Sequence, residues 1–328
     1  MGFAALHTVK SKVDAAMITL LKKAKGVQFG KTNVPEMACC GAGINWANGI
    51  SLNPWGSDIL TGGSSAGTGS LVASYVTTVA IAEDTGGSTN GPAFLQSVFG
   101  YDPPKFHYPN MGNPSLTVRN DQIGMIARNI DDIIAFDMAL LRNEEAHAKA
   151  ASFVAGLSNK DIRIGCSDIY YDYSAMSPAI AAKYYEAKNA LMTAGFTFVE
   201  TCASKTRTPD FIVPSRYSNT VYIDELQYHL TNNLKINMSV FEVMLNGVNS
   251  FSTSYSPVGS RIPTGGSGCV NSGWNVNQTV LDEYLGRVPA LRSDVYNEYY
   301  NQYNIDLVMG PTHFCDFIKW TVCRLCSI

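Results

Sequence analysis

Two clusters of glycine and serine carry the residue types that nucleophilic catalysis requires. They are Thr61-Gly62-Gly63-Ser64-Ser65-Ala66-Gly67 and Glu83-Asp84-Thr85-Gly86-Gly87-Ser88. A serine nucleophile needs a hydroxyl on a sharp turn, backbone N–H groups that face a developing oxyanion, and a partner that takes its proton. The second cluster can supply the first two, so Ser88 is the candidate nucleophile, and Ser64, 24 residues earlier, is the candidate partner. Neither cluster has the spacing of a phosphate-binding loop, and a pair of tight structural turns is the alternative.

The segments around these clusters alternate between helical and strand-like patterns. Helices are predicted over residues 14–25, 71–75, 179–194 and 280–300, with a further one beginning at Asn129. Strands are predicted over residues 27–29, 76–82, 162–166, 196–200 and 306–309. Gly26 and Gly195 stand where a glycine commonly ends a helix. This alternation predicts an α/β fold with a mixed or mostly parallel sheet.

The composition is that of a folded protein without a nucleic-acid footprint. Of 328 residues, 46% are hydrophobic and 16% are charged, which excludes disorder as the main state. The formal net charge is -3, so no nucleic-acid partner is expected. No membrane-spanning segment and no signal-peptide pattern are visible, so we expect a cytoplasmic location. The eight cysteines, among them Cys39-Cys40 and the pair Cys323 and Cys326, predict neither a disulfide framework nor a metal site.

Further motifs occur in a fixed order around the two clusters. They are Phe29-Gly30-Lys31-Thr32-Asn33-Val34-Pro35-Glu36, Asn53-Pro54-Trp55, Asp121-Gln122-Ile123-Gly124-Met125-Ile126-Ala127-Arg128, Ile162-Arg163-Ile164-Gly165 and Asp306 to Thr312. Together with the clusters, these motifs resemble the amidase signature family, whose hallmarks are G-G-S-S-G-G-S and G-x-D-T-G-G-S at the same interval. The similarity is continuous from about residue 14 to about residue 200.

The resemblance implies an α/β amidase-signature fold, in which a mixed central β-sheet is flanked by helices on both faces. It implies a Ser-cisSer-Lys triad, with Ser88 as the nucleophile and Ser64, after a cis Gly63–Ser64 peptide bond, as the bridging serine. The backbone N–H groups of Thr85, Gly86, Gly87 and Ser88 would form the oxyanion hole. The implied reaction hydrolyses a carboxylic acid amide to a carboxylate and ammonia or an amine through a serine acyl-enzyme, with no cofactor. The expected partners are a small-molecule amide substrate and, in a homodimer, a second copy of the chain.

Compared with the family, the sequence is expected to be shortened at its N-terminus and also at its C-terminus. The family's catalytic lysine lies well before the helix that leads into G-K-T-N, and here that helix is already residues 14–25. Lys10 lies next to this helix, and Lys31 belongs to the G-K-T-N turn, so the general base is not identified. We expect one amidase domain over residues 1–328, with the core resemblance over 14–200, a more variable region over 201–328 and an atypical tail over 314–328.

These departures leave alternatives to an active amidase of this type. One is a catalytically impaired fragment or a pseudoenzyme that retains the amidase fold, because a serine hydroxyl is a weak nucleophile without a base. Another is a Ser-His-Asp hydrolase, which would use His7, His107, His147, His229 or His313, although there is no G-x-S-x-G elbow.

Asn90 stands where many family members have an arginine, which favours a neutral amide over an acidic one.

Overall fold

The computed structural model of the chain describes residues 2, 6–35, 38, 43–45, 47–114, 121–141, 144–166, 177–200, 227–239, 286 and 301–311. The chain divides into two units. Unit 1 comprises residues 1–142 and 215–277, and unit 2 comprises residues 143–214 and 278–328. Both candidate catalytic serines therefore belong to unit 1.

Unit 1 is built around an antiparallel three-stranded sheet. Its helices are α1 (Ala16–Lys23), α2 (Ala66–Ala73), α3 (Asn90–Leu95) and α4 (Ile130–Leu141), and its strands are β1 (Ile44–Asn45), β2 (Gly49–Ile50), β3 (Val79–Asp84), β4 (Phe99–Tyr101) and β5 (Gln122–Ala127). β1 and β2 form a short antiparallel pair, and the larger sheet has the order β3-β5-β4. β5 is buried along its whole length because it is the central strand. A π-helical turn covers His229–Asn233.

Side chains of β5 alternate between the two faces of this sheet, and each face has its own apolar core. The first core joins the sheet to α1 and α4 and contains Met17, Tyr108, Ile123, Met125, Ala127, Ile133 and Leu140. The second core joins the sheet to α2 and α3 and contains Val72, Ala82, Ala93 and Ile126. Helices thus pack on both faces, and α2 and α3, which follow the two glycine-serine clusters, share one of them.

Unit 2 contains a parallel three-stranded sheet. Its helices are α5 (Glu144–Ala155) and α6 (Pro178–Thr193), and its strands are β6 (Arg163–Cys166), β7 (Thr197–Val199) and β8 (Leu307–Met309), with a 3-10 turn at Asn159–Asp161. The strand order is β7-β6-β8, and both pairings are parallel. α6 connects β6 to β7. It begins at Pro178 after the Ser177 cap, and Gly195, at φ 99°, follows its end.

The predicted α/β fold class is confirmed. Among the described residues, the antiparallel pairings lie in the two sheets of unit 1 and the parallel pairings in the sheet of unit 2. The expected helix 280–300 and the tail 314–328 fall almost entirely outside the described residues. Within the described part of the chain, no helix is both long enough and apolar enough to cross a bilayer.

Two local predictions differ from the structure. The strand predicted over residues 27–29 is wrong, because this segment pairs with no described strand and the side chains of Val27 and Phe29 are 88% and 78% exposed. The strand predicted over 76–82 begins later, at Val79, because the preceding residues end α2: Tyr75 has φ 63°, and the Val76 N–H donates to the Leu71 carbonyl. β-branched residues favour a strand, but a strand forms only where a neighbour supplies hydrogen bonds.

Candidate functional site

The turn that carries Ser88 directly follows β3 and is closed by the last residue of that strand. Asp84 is fully buried, and its two carboxylate oxygens accept the N–H groups of Gly87 at 2.6 Å and Thr89 at 2.7 Å. Gly87 has φ 107°, a backbone conformation that residues other than glycine rarely adopt. Because the two bonded amides flank Ser88, the carboxylate fixes the backbone of the candidate nucleophile.

The turn that carries Ser64 lies against the first residues of α3. Gly62 has φ 74°, and a Cβ atom at this position would lie 2.8 Å from the backbone of Gly91 and Pro92, so only glycine fits there. The Gly63–Ser64 peptide bond is cis, the isomer that the family resemblance implies. The turn therefore approaches the helix that begins beside Ser88.

Ser65 joins the two turns directly. Its N–H donates to the carbonyl of Ser88 at 3.2 Å. Its hydroxyl donates to the Glu83 carbonyl at 3.1 Å and accepts the Glu83 N–H at 3.2 Å. Ser64 is therefore the direct neighbour in sequence of a residue that bonds to Ser88. Both candidate serines are buried, with Ser64 2% exposed and Ser88 5% exposed. The two turns, whose candidate serines are 24 positions apart in sequence, are thus in direct contact.

The G-K-T-N segment supports the first turn of α2. The Gly67 N–H donates to the carbonyl of Asn33 at 3.0 Å, and the hydroxyls of Thr32 and Thr68 are 2.8 Å apart. A Cβ atom on Gly67 would lie 2.5 Å from the Asn33 nitrogen, so the two backbones are in direct contact. This contact holds the helix that follows Ser64 and Ser65.

The four backbone N–H groups expected to form the oxyanion hole are not equivalent. That of Gly87 is already bonded to Asp84. Those of Thr85, Gly86 and Ser88 donate to no residue in the described part of the chain. The Thr85 hydroxyl is bonded to the Glu83 carboxylate at 3.0 Å, which leaves the Thr85 backbone as its available donor.

None of the described lysines or histidines is bonded to Ser64 or Ser88. Lys10 and Lys31 are both exposed. His107 instead lies 2.7 Å from Asp137, which also accepts the hydroxyl of Tyr108. Burial and the carboxylate of Asp137 raise the pKa of Tyr108.

The remaining histidines add nothing to a Ser-His-Asp arrangement within the described residues. His229 is buried against Asn233, and burial lowers its pKa, so the ring is neutral near pH 7. His313 and the cysteines Cys39, Cys40, Cys323 and Cys326 lie outside the described residues. Among the residues with described positions, no three His, Cys, Asp or Glu side chains cluster as metal ligands would.

The sequence patterns point to the two serines as candidates but not to three residues that hold their turns. Asp84, Ser65 and Gln96 all bond to backbone atoms of the serine turns. Asp84 carries a usable signal, since an aspartate before a glycine turn commonly accepts nearby N–H groups. Gln96 carries none, because its partners are 30 and 35 residues away.

Known proteins are similar to this chain along most of its length. The Amidase family model matches residues 1–315. A glutamyl-tRNA(Gln) amidotransferase subunit from Akkermansia muciniphila is 27% identical over 319 residues, which cover 91% of this chain and 64% of the relative. Indoleacetamide hydrolase of Bradyrhizobium diazoefficiens is 32% identical over 196 residues, 57% of this chain and 37% of the relative. The chain thus spans less than two thirds of the length of these two relatives.

Solved structures show the same fold. An amidase family protein from Bacillus anthracis superposes with a TM-score of 0.75 at 18% identity, covering 98% of this chain and 65% of that structure. Peptide amidase from Stenotrophomonas maltophilia superposes with a TM-score of 0.72 at 19% identity, covering 98% and 70%. The resemblance to the amidase signature family, drawn from the serine clusters and the motifs around them, is confirmed by these matches. The chain belongs to the Amidase family.

Proposed function

We propose that the chain provides the serine machinery of an amidase that hydrolyses carboxylic acid amides. The observation that carries this proposal is the bond from the Ser65 N–H to the Ser88 carbonyl, which joins the two serine turns at a buried site. The two units act as one domain in this proposal, which the continuous family match over residues 1–315 supports. A cytoplasmic location and a homodimer stay predictions, which cell fractionation and light scattering would test.

The proposed reaction has two steps. In the first, the Ser88 oxygen bonds to the amide carbonyl carbon, and its proton passes through Ser64 to the departing nitrogen as the C–N bond breaks. In the second, water attacks the acyl ester, Ser88 recovers a proton, and the carboxylic acid leaves. General acid–base help of this kind typically contributes about 10²–10⁴-fold in rate. The position of Ser64 beside the Ser65–Ser88 contact supports the role proposed for it.

The tetrahedral intermediate carries a negative oxygen, which needs hydrogen-bond donors that are already in place. We assign this role to the N–H groups of the Thr85–Ser88 turn. In this conformation the donors without a described partner are those of Thr85, Gly86 and Ser88, while the bond to Asp84 holds Gly87 in the turn. Losing one such donor typically costs about 10²–10³-fold in rate.

The charges next to the turn favour a neutral substrate. The carboxylates of Glu83 and Asp84 directly precede it, and Asn90, two residues after Ser88, is uncharged. The Asn90 side chain lies against Gly100 of β4, where an added Cβ would be 2.7 Å from its amide oxygen. A substrate carboxylate near the scissile bond would be repelled by the two acidic side chains, so we propose a neutral amide.

Labelling with a serine-directed fluorophosphonate probe tests the proposal. Ser88→Ala is expected to abolish labelling, Ser64→Ala to slow it by about 10²-fold or more, and Ser57→Ala, an exposed serine of the preceding loop, to leave it unchanged. Mass spectrometry of the labelled peptide identifies the modified residue. A folded wild-type chain that is never labelled would favour the impaired fragment or pseudoenzyme, and labelling that persists in Ser88→Ala would assign the nucleophile elsewhere.

Competition between amides tests the preferred charge. A neutral amide should slow probe labelling at lower concentration than the matched amide that carries a carboxylate. Equal or better protection by the acidic amide would contradict the preference for a neutral substrate.

A further inference from the structure

Gln96 directly follows α3, and its side chain is fully buried. All the described hydrogen bonds of this side chain are made with the turn that carries Ser64 or with α2, the helix that follows it. Its side-chain N–H₂ group donates to the carbonyls of Thr61 at 2.9 Å and Ala66 at 3.2 Å. Its side-chain oxygen accepts the hydroxyl of Ser70 at 3.0 Å. Gly69 leaves the space for this amide, since a Cβ atom there would lie 2.3 Å from its nitrogen.

The two carbonyls bound by this amide are the two ends of the segment that contains the cis peptide bond. Thr61 precedes Gly62, and Ala66 follows Ser65, so residues 62–65 lie between two fixed points. A primary amide has two hydrogens in a fixed planar arrangement. When each is bonded to one end of a short segment, the separation of those ends is set by the amide.

The same residue is linked rigidly to Ser88. Ser88 lies two residues before α3, and Gln96 directly follows its last residue. The Gln96 backbone carbonyl accepts the indole N–H of Trp55 at 2.8 Å, and its N–H donates to the Pro92 carbonyl at 3.2 Å. The helix therefore acts as a spacer with the candidate nucleophile near one end and the Gln96 amide at the other.

We propose that Gln96 is a positioning residue that keeps Ser64 aligned with Ser88 during proton transfer. The proposal rests on the proposed function of the two serines. The bond from Ser65 to Ser88 joins the turns at one point, and the Gln96 amide supplies the second point that fixes their relative orientation. Small displacements of a proton-transfer partner reduce the rate strongly, since a shift of about 1 Å can cost about 100-fold.

Gln96→Met tests the role, and Asn45→Leu is its matched control. Asn45 is also buried, at 1% exposed, and its side-chain N–H₂ donates to the carbonyls of Gly2 at 2.8 Å and Val34 at 2.7 Å. Each variant replaces a buried carboxamide by an apolar side chain of similar size and removes two bonds to carbonyls. The Asn45 oxygen also accepts the N–H groups of Ala47 and Asn48, whereas the Gln96 oxygen accepts the Ser70 hydroxyl. A general loss of stability should therefore affect Asn45→Leu at least as strongly as Gln96→Met, although Asn45, unlike Gln96, does not bond to Thr61 or Ala66.

Two measurements are made on the full chain. Fluorophosphonate labelling of Ser88 should be about 10- to 100-fold slower in Gln96→Met and within about threefold of wild type in Asn45→Leu. Hydrogen–deuterium exchange of the peptide covering residues 62–65 should be faster in Gln96→Met only. Equal labelling rates in the two variants, or unchanged exchange over 62–65 in Gln96→Met, would overturn the proposal.

A second variant keeps the test decisive if Gln96→Met does not fold. In Gln96→Glu the protonated carboxyl can donate to one carbonyl, whereas the ionised form donates to neither and repels both. The labelling rate relative to wild type should therefore recover as the pH is lowered, and a pH-independent ratio would contradict the positioning role. Failure of the proposed function is a separate result: the wild-type chain would then not be labelled, while the exchange of residues 62–65 would still report whether Gln96 holds the segment.

Discussion

Replacing Asp84 by asparagine should loosen the turn that presents Ser88. The carboxylate accepts two short bonds, from Gly87 at 2.6 Å and Thr89 at 2.7 Å, and it is fully buried. In Asp84→Asn one oxygen remains to accept one N–H, and the other N–H faces the new N–H₂ group. The shape of the side chain is retained, so the change acts through hydrogen bonding and charge and leaves packing unaltered.

The size of the effect follows from the bond that is lost. A hydrogen bond to a charged group contributes about 1.5–3 kcal/mol, and a buried donor without an acceptor costs about 1–3 kcal/mol. The two ranges describe the same broken contact and are not added, so we expect a local loss of about 2–3 kcal/mol. At about 1.4 kcal/mol for each factor of ten, this corresponds to a roughly 30- to 150-fold larger population of the open turn, and amide exchange is faster by the same factor.

Hydrogen–deuterium exchange measures this opening directly. The amides of Gly87 and Thr89 should exchange faster by the factor above in Asp84→Asn, and labelling of Ser88 should slow in parallel. Asp14→Asn is the control, because Asp14 forms an exposed ion pair with Lys22, and such pairs contribute about 0–1 kcal/mol. Exchange in Asp84→Asn within about threefold of wild type would refute the argument that the carboxylate holds the turn.

Two further predictions concern stability. Gly62→Ala should lower the free energy of unfolding, measured by urea titration, by about 1–3 kcal/mol more than Gly49→Ala does. Both glycines have positive φ, but of the two only Gly62 lies against Pro92. Equal losses in the two variants would show that backbone strain alone matters. Burial, partly offset by the Gln122 hydrogen bond and by Lys105, raises the pKa of Asp102 from 3.8 to about 7. The folded chain therefore binds this proton more tightly than the unfolded chain, so the Asp102 contribution to stability falls as pH rises from 3.8 to about 7. The difference in unfolding free energy between wild type and Asp102→Asn, measured across this range, should show that slope, and a constant difference would contradict it.

Much of the fold can be predicted because its signals are local. The spacing of apolar residues predicts α1, which ends at Lys23. The chain turns away from the helix just after this residue, where Lys25 has φ 62° and the Gly26 N–H donates to the Leu21 carbonyl at 2.8 Å. α6 is likewise predicted, over residues 179–194 with Gly195 at its end, and the structure has it over Pro178–Thr193. The segment 27–29 is not predictable in this way, because whether it becomes a strand depends on a partner elsewhere in the chain.

The candidate site, like the fold, is only partly predictable from local sequence signals. Residue types and spacing point to Ser64, Ser88 and the glycine-rich turn as candidates, because nucleophilic chemistry requires such groups and each motif is contiguous. Only the tertiary structure shows that the Ser65 N–H bonds to the carbonyl of Ser88 and that Gln96 bonds to both ends of the Ser64 segment. Hydrogen bonds of this kind depend on distances between atoms far apart in sequence, and those distances exist only once the sheet and its helices have packed.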